Sequence, residues 1–215
     1  MVGQGVLREC LADPRVDQVL SIVRAPTPTQ HPKLREIAHD NFVDFSPLIP
    51  ELTGYDATFY CLGVSSVGLT EAAYRRVTYD ITIAAAEPLA AANPEMTFIF
   101  VSGSGADSTE HSSVMWARVK GAAENAVKRL PFKAVYIFRP GIIQPGRGIY
   151  SRTASYNVIY AVIAPIMPLL LRFIPKYVTT TELIGKAMIN LAAHGSTMQI
   201  LRSEAIGVIA RQSPQ

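Results

Sequence analysis

Thr97-Phe98-Ile99-Phe100-Val101-Ser102-Gly103-Ser104-Gly105-Ala106-Asp107 holds the deciding pattern: an unbroken apolar run that stops in a loop of glycine and serine. A run without polar alternation predicts a strand buried on both faces, as in a parallel sheet covered by helices on each side. A helical pattern follows over 113–129, and after it a second bare run, Ala134 to Phe138 (AVYIF). Together they read as one strand–helix–strand unit.

Outward from this unit the alternation repeats. Further strands are predicted at Gln18 to Val23 (QVLSIV), Asn41 to Asp44 (NFVD), Ala57 to Leu62 (ATFYCL) and Met198 to Leu201, with helices near Glu71 to Ala92 and Thr181 to Ala193. Ala25 to Pro32, with three prolines, reads as a surface excursion. At the start, Val2, Val6, Leu7, Cys10 and Leu11 paint one stripe on a helix ended by Asp13-Pro14. The expectation is an α/β protein: a three-layer, Rossmann-like, mostly parallel doubly wound sheet with helices on both faces. Residues 1–215 form one domain, and 146–180 a small apolar substrate or lid region.

Composition narrows the classes. An apolar content of 49% over 215 residues supplies one core, and a net charge of +3 with both signs interspersed offers no basic stripe for nucleic acid. Cys10 and Cys61 lack metal-type spacing, so no metal site is expected, and they read as buried thiols in a reducing, cytoplasmic setting. From Thr153 to Leu171 there are nineteen residues without a formal charge, between Arg152 and Arg172. That approaches a membrane span in length, but Pro165 and Pro168 would break backbone bonding that lipid cannot replace. Three readings stay open: a span, a membrane-surface or partner-docking segment, and an apolar substrate flap or core helix.

Met1-Val2-Gly3-Gln4-Gly5-Val6-Leu7 reads either as a frayed terminus or as the last glycine, Gly3, of a G-x-x-G-x-x-G turn entering a helix. In a dinucleotide-binding fold the preceding strand is central to the sheet, and its glycine loop supplies amides to the pyrophosphate. The second reading predicts a sheet interrupted at its centre, with unpaired edges. It also predicts weak or absent cofactor binding in this form of the chain.

Open α/β sheets bind ligands beyond the carboxyl ends of their strands, so residues just after each strand are the candidates. Arg24 suits a ribose 2′-phosphate, favouring NADP with NAD as the alternative, or is a plain surface arginine. Asp44, Phe45, Leu62, Gly63 and Val64 would line the adenine and ribose, with Gly63 letting the backbone lie close; Asp44 is equally readable as a turn residue.

A strand ending in Ser-x-Ser, then Trp116-Ala117-Arg118-Val119-Lys120 on a helix, then a strand ending in Arg139-Pro140-Gly141, is similar to the short-chain dehydrogenase/reductase superfamily. Across nearly the whole chain it resembles the atypical single-Rossmann branch, which includes Tat-interacting-protein-like reductases and nucleoside-diphosphate-sugar epimerase-like proteins. The resemblance implies an NAD(P)-dependent oxidoreductase with a Tyr-x-x-x-Lys pair as acid/base machinery. Carried over by position, Ser104 takes the serine slot that holds the substrate oxygen. Lys120 takes the lysine slot, on the nicotinamide ribose, and Pro140, Gly141 and Ile142 border the nicotinamide. Trp116 takes the tyrosine slot, where an indole can donate a hydrogen bond but cannot exchange a proton near neutral pH. His111 with Ser112 or Ser113, and Tyr74 or Tyr79, are the other groups considered for proton transfer; a solvated loop histidine and packing tyrosines are the plainer readings.

The uncharged 153–171 stretch falls in the family's substrate region and implies a small apolar substrate. The alternative function is a catalytically silent NADP(H)-binding sensor or scaffold, associated through that stretch with a protein partner, a second copy or a membrane surface.

Overall fold

The computed structural model describes residues 1–146, 148, 174 and 176–212. Its elements run α1 (Val2–Ala12), β1 (Val19–Val23), β2 (Leu34–Ala38), a helical turn (Ser46–Leu48) leading into α2 (Ile49–Leu52), β3 (Ala57–Tyr60), α3 (Glu71–Arg75), a π-helical turn (Arg76–Asp80), α4 (Ile81–Ala92) and β4 (Thr97–Val101). They continue with α5 (Met115–Lys128), β5 (Ala134–Arg139), β6 (Ile142–Gln144), β7 (Val178–Thr180), α6 (Thr181–His194), β8 (Ile200–Arg202) and α7 (Ser203–Ala210). The stretch from Thr153 to Leu171 lies outside the described residues, as does most of 146–180.

Every strand pair is parallel. The larger sheet has the order β3-β4-β5-β8; among the described residues β1 pairs only with β2, and β6 only with β7. Between β1 and β3 there is no strand hydrogen bonding, so the sheet is interrupted there. The two parts nevertheless share their cores. On one face Val6 and Cys10 of α1 and Ile184 and Met188 of α6 pack with Ile99, Val101 and Phe138, and Val19 of β1 joins them. On the other, Ala86 and Leu89 of α4 and Val127 of α5 pack with Phe98, Phe100 and Ile137, and Ile22 and Ile37 of β1 and β2 join these. Alternate residues of β4 thus feed opposite layers, and all five of its residues are buried, as its bare apolar sequence requires.

One predicted strand needs correcting, and further elements add to the reading. The strand predicted at Asn41–Asp44 is a turn, and the strand lies earlier, at Leu34–Ala38. An edge strand pairs on one side only, so Arg35 and Glu36 can interrupt its apolar pattern and conceal it. The helix predicted over Glu71–Ala92 carries the π-helical turn, which wraps one extra residue into the helix and re-phases its face. β6 and α7 were not foreseen: three residues are too few to show a period, and α7 follows β8 directly. The helix expected from Thr181 begins there and is capped, with the Thr180 hydroxyl accepting the Leu183 N–H at 3.0 Å.

Candidate functional site

Parallel pairing puts the carboxyl ends of the strands on one edge of each sheet, which gathers the residues singled out from sequence. Arg24 follows β1, Leu62-Gly63-Val64 follow β3, Ser102 to Gly105 follow β4, and Pro140-Gly141 follow β5. The first turn of α1 reaches the same edge. A Cβ built on Gly3 would stand 3.4 Å from that of Cys61, ordinary contact rather than an obligatory glycine. Gly5 is the position that does require one: a Cβ there would meet the Thr181 Cβ at 2.3 Å, where α1 crosses α6. The Cys61 thiol is pushed up to about 12 by burial and next by Cys10.

The loop after β4 is held by its backbone. Ser102 N–H donates to Phe138 C=O and Ser104 N–H to Pro140 C=O, both at 2.8 Å, docking the loop on the end of β5. Side chains from α5 cover it. The Lys120 stem runs over Gly103, whose built Cβ would lie 3.9 Å from Lys120 Cδ and Cε. The Trp116 ring sits on Gly105, at 2.9 Å from the built Cβ, and Gly105 has a positive φ of 93°. The structure therefore brings the Ser-x-Ser loop, Trp116 and Lys120 together.

Lys120 makes no hydrogen bond or ion pair with a described residue. Burial pushes its ammonium down to about 8, against the upward pull of the Glu124 carboxylate one helical turn on. Ser104 is exposed, whereas the Ser102 hydroxyl is buried without a partner among the described residues. Buried hydroxyls are normally bonded, so Ser102 is the group to which sequence reasoning gave too little weight. The Ser-x-Ser pattern offers two serines, and only burial distinguishes them.

The remaining candidates separate. Arg24 is exposed and makes no bond to a described residue. Asp44 Oδ1 accepts the Ser46 N–H at 2.9 Å, which holds its carboxyl below the ordinary range; this is the turn role. The Phe45 ring is buried against Phe42 and His39. A Cβ on Gly63 would meet nothing within 4 Å. Gly141 is fixed by the protein itself: a Cβ there would lie 2.3 Å from Tyr177 O, and its N–H donates to Ser203 Oγ. Ile142 is half exposed and Pro140 buried. Tyr74 is fully buried and Tyr79 lies beneath the Arg75 guanidinium, so both are packing residues.

His111 belongs to a loop organised by Asp107. That carboxylate accepts from the Thr109 N–H and hydroxyl and from the His111 and Ser112 N–H groups at 2.7 to 3.0 Å. Bonding to the Thr109 side chain, then to these amides, holds it down to about 2. A depressed carboxyl stabilises the fold fully above its ordinary 3.8, and that contribution is lost as the pH falls towards 2. Emission from Trp116, the sole tryptophan, should therefore change in this interval, and Asp107→Asn should remove the step. An identical titration in the variant would contradict this role for Asp107.

No protein-family model matches the chain. Rat protein HTATIP2 is 31% identical over 144 residues, covering 66% of this chain and 58% of the rat protein. Protein fmp52, mitochondrial, of Aspergillus clavatus is 30% identical over 168 residues, covering 74% and 68%. Its namesake from Emericella nidulans is 28% identical over 153 residues, covering 66% and 63%. The chain thus spans less than two thirds of the rat and Emericella proteins. Among solved structures, Bordetella bronchiseptica WbmF in complex with NAD+ aligns with a TM-score of 0.65 at 16% identity, over 97% of this chain and 73% of that one. An oxidoreductase of the short-chain dehydrogenase/reductase family from Burkholderia thailandensis gives 0.67 at 14%, over 96% and 88%. At such identity the likeness is one of fold. The names of the fungal relatives overturn the expectation of a cytoplasmic protein, which rested on reduced thiols that do not separate one reducing compartment from another.

Proposed function

This chain belongs to the atypical short-chain dehydrogenase/reductase family, and on that premise we propose that it holds NADP(H), in preference to NAD(H), as part of an oxidoreductase-like protein. The observation that carries the reading is Lys120: a partly buried ammonium that makes no bond to a described residue, over a loop that also contains the buried Ser102 hydroxyl, without a partner among the described residues. A cation so placed lacks an oxygen ligand, and a ribose hydroxyl supplies one. Arg24, exposed and unpaired after β1, suits a 2′-phosphate. Ser102 and Ser104 would orient a substrate oxygen beside Lys120. The bound dinucleotide would supply hydride chemistry, while the chain's residues position and exclude water. The uncharged sequence of 153–171 suits a small apolar substrate, and the compartment suggested by the fungal relatives is mitochondrial.

Trp116 favours a second reading, binding without turnover. Its indole is a donor only, and it packs on Gly105 where the resemblance would put a phenol. NADPH binding with no oxidation across a panel of ketones, aldehydes and quinones would select this reading over the enzyme. Lys120→Ala should weaken NADPH binding about tenfold, measured by calorimetry. Unchanged affinity would remove Lys120 from the site.

A further inference from the structure

A buried carboxylate stands directly behind Lys120. Glu124 is completely buried on the same face of α5, one turn further on, and is engaged by Arg139 at the end of β5. Arg139 Nε donates to Glu124 Oε1 and Oε2 at 3.0 and 3.1 Å, and its Nη2 to Oε2 at 2.5 Å. The same guanidinium donates to Ser108 Oγ at 2.6 Å, in the loop that begins at Ser102. One ion pair therefore joins the three pieces that make the candidate site: the helix bearing Trp116 and Lys120, the strand leading to Pro140-Gly141, and the loop after β4. Glu124 and Arg139 are shielded from solvent while Ser108 is exposed, and none of the three belongs to the family's Tyr-x-x-x-Lys pair.

We infer that Glu124, locked by Arg139, is the positioning residue of Lys120: it keeps the ammonium protonated and its stem laid across Gly103. This deepens the dinucleotide reading above and rests on it for the ligand, though not for the effect on the lysine. The electrostatic logic is simple. A desolvated ammonium tends to shed its proton, and the nearest permanent negative charge opposes this. Other charged groups on elements packed against α5 are otherwise engaged or remote. Glu71 of α3 pairs with Arg118 at 2.7 Å, Arg75 lies over Tyr79, Asp107 is spent on its loop, and Arg76 and Asp80 stand on the π-helical turn. Only Glu124 among them acts appreciably on Lys120. Arg139 holds the carboxylate back from forming a direct ion pair, so the ammonium keeps its donors free.

Competitive acetylation of the full chain, followed at Lys120 by mass spectrometry between pH 6 and 10, reads the lysine's midpoint without any cofactor. The wild type should titrate near 8. Glu124→Gln retains an oxygen for Arg139 but loses the charge, and should move the midpoint down by about one unit. NADPH affinity should then fall away at correspondingly lower pH while its low-pH limit is kept. Glu124→Asp, with its charge retained, should recover most of the shift and serves if the glutamine variant does not fold. A folded Glu124→Gln protein with an unmoved midpoint would overturn the inference. A wild type that binds no NADPH, with the midpoint still moved by Glu124→Gln, would instead reject the dinucleotide reading and leave this one standing.

Discussion

Gly121→Ala is expected to destabilise the protein by about 3 kcal/mol or to prevent folding, the upper end of what overpacking costs. A Cβ at this point of α5 would lie 1.7 Å from the carbonyl oxygen of Asp107 and 2.5 Å from its carbon. Both are backbone atoms, so no side-chain rotamer relieves the overlap; helix and loop must part. The loop cannot yield cheaply, because Asp107 N–H donates to Ala117 C=O at 3.0 Å and Asn125 donates to Ser108 O at 2.9 Å. Parting them would also lift Trp116 from Gly105 and Lys120 from Gly103. Urea denaturation checks this, with Gly63→Ala as the control. Gly63 has open space around it and no positive φ, so its alanine variant should stay within about 0.5 kcal/mol of wild type. Equal midpoints for the two variants would refute the close crossing.

Arg139→Ala should cost about 3–5 kcal/mol, because it strands the buried Glu124 carboxylate. The penalty belongs to the orphaned charge more than to the lost attraction, so replacing both residues by methionine should recover much of it. Contrast Arg35, whose pair with Glu51 is formed at 2.6 Å between side chains roughly half exposed. Arg35→Ala should fall within about 0.5 kcal/mol of wild type, since solvent screens exposed pairs. Thermal or urea unfolding of these three variants separates the cases. An Arg139→Ala protein as stable as Arg35→Ala would mean that Glu124 reaches water or another partner.

Legibility in the sequence followed burial. β4 and β5 are buried on both faces, so no polar residue interrupts their runs, and they stand out unaided. β2 is an edge whose broken pattern led it to be placed too late in the chain, whereas the bounds Glu71–Ala92 hold although a π-helical turn re-phases the face within them. The helix stripe of α1 was readable because Val6 and Cys10 face the core one turn apart. Within the candidate site, Lys120 and Trp116 were singled out by the resemblance to the family's Tyr-x-x-x-Lys pair, whose spacing on one helix the sequence keeps. Ser102 was overshadowed by Ser104, because which of two nearby hydroxyls lacks a partner depends on what lies across the loop. Glu124 was passed over altogether: on sequence alone a glutamate on a helix reads as solvated.

By itself, then, the sequence determined the alternation of strands and helices, the parallel sheet, and the order of the serine loop, the Trp116–Lys120 helix and Pro140-Gly141. These depend on contacts within a few residues or on the face an element buries, and both leave a period in the chain. The tertiary structure alone decided that Gly5, Gly121 and Gly141 are crossings at which a Cβ has no room, and that Arg139 locks Glu124 behind Lys120. Each of these is a meeting of residues distant in sequence or on separate elements, governed by how closely two backbones approach and by how little water remains between them.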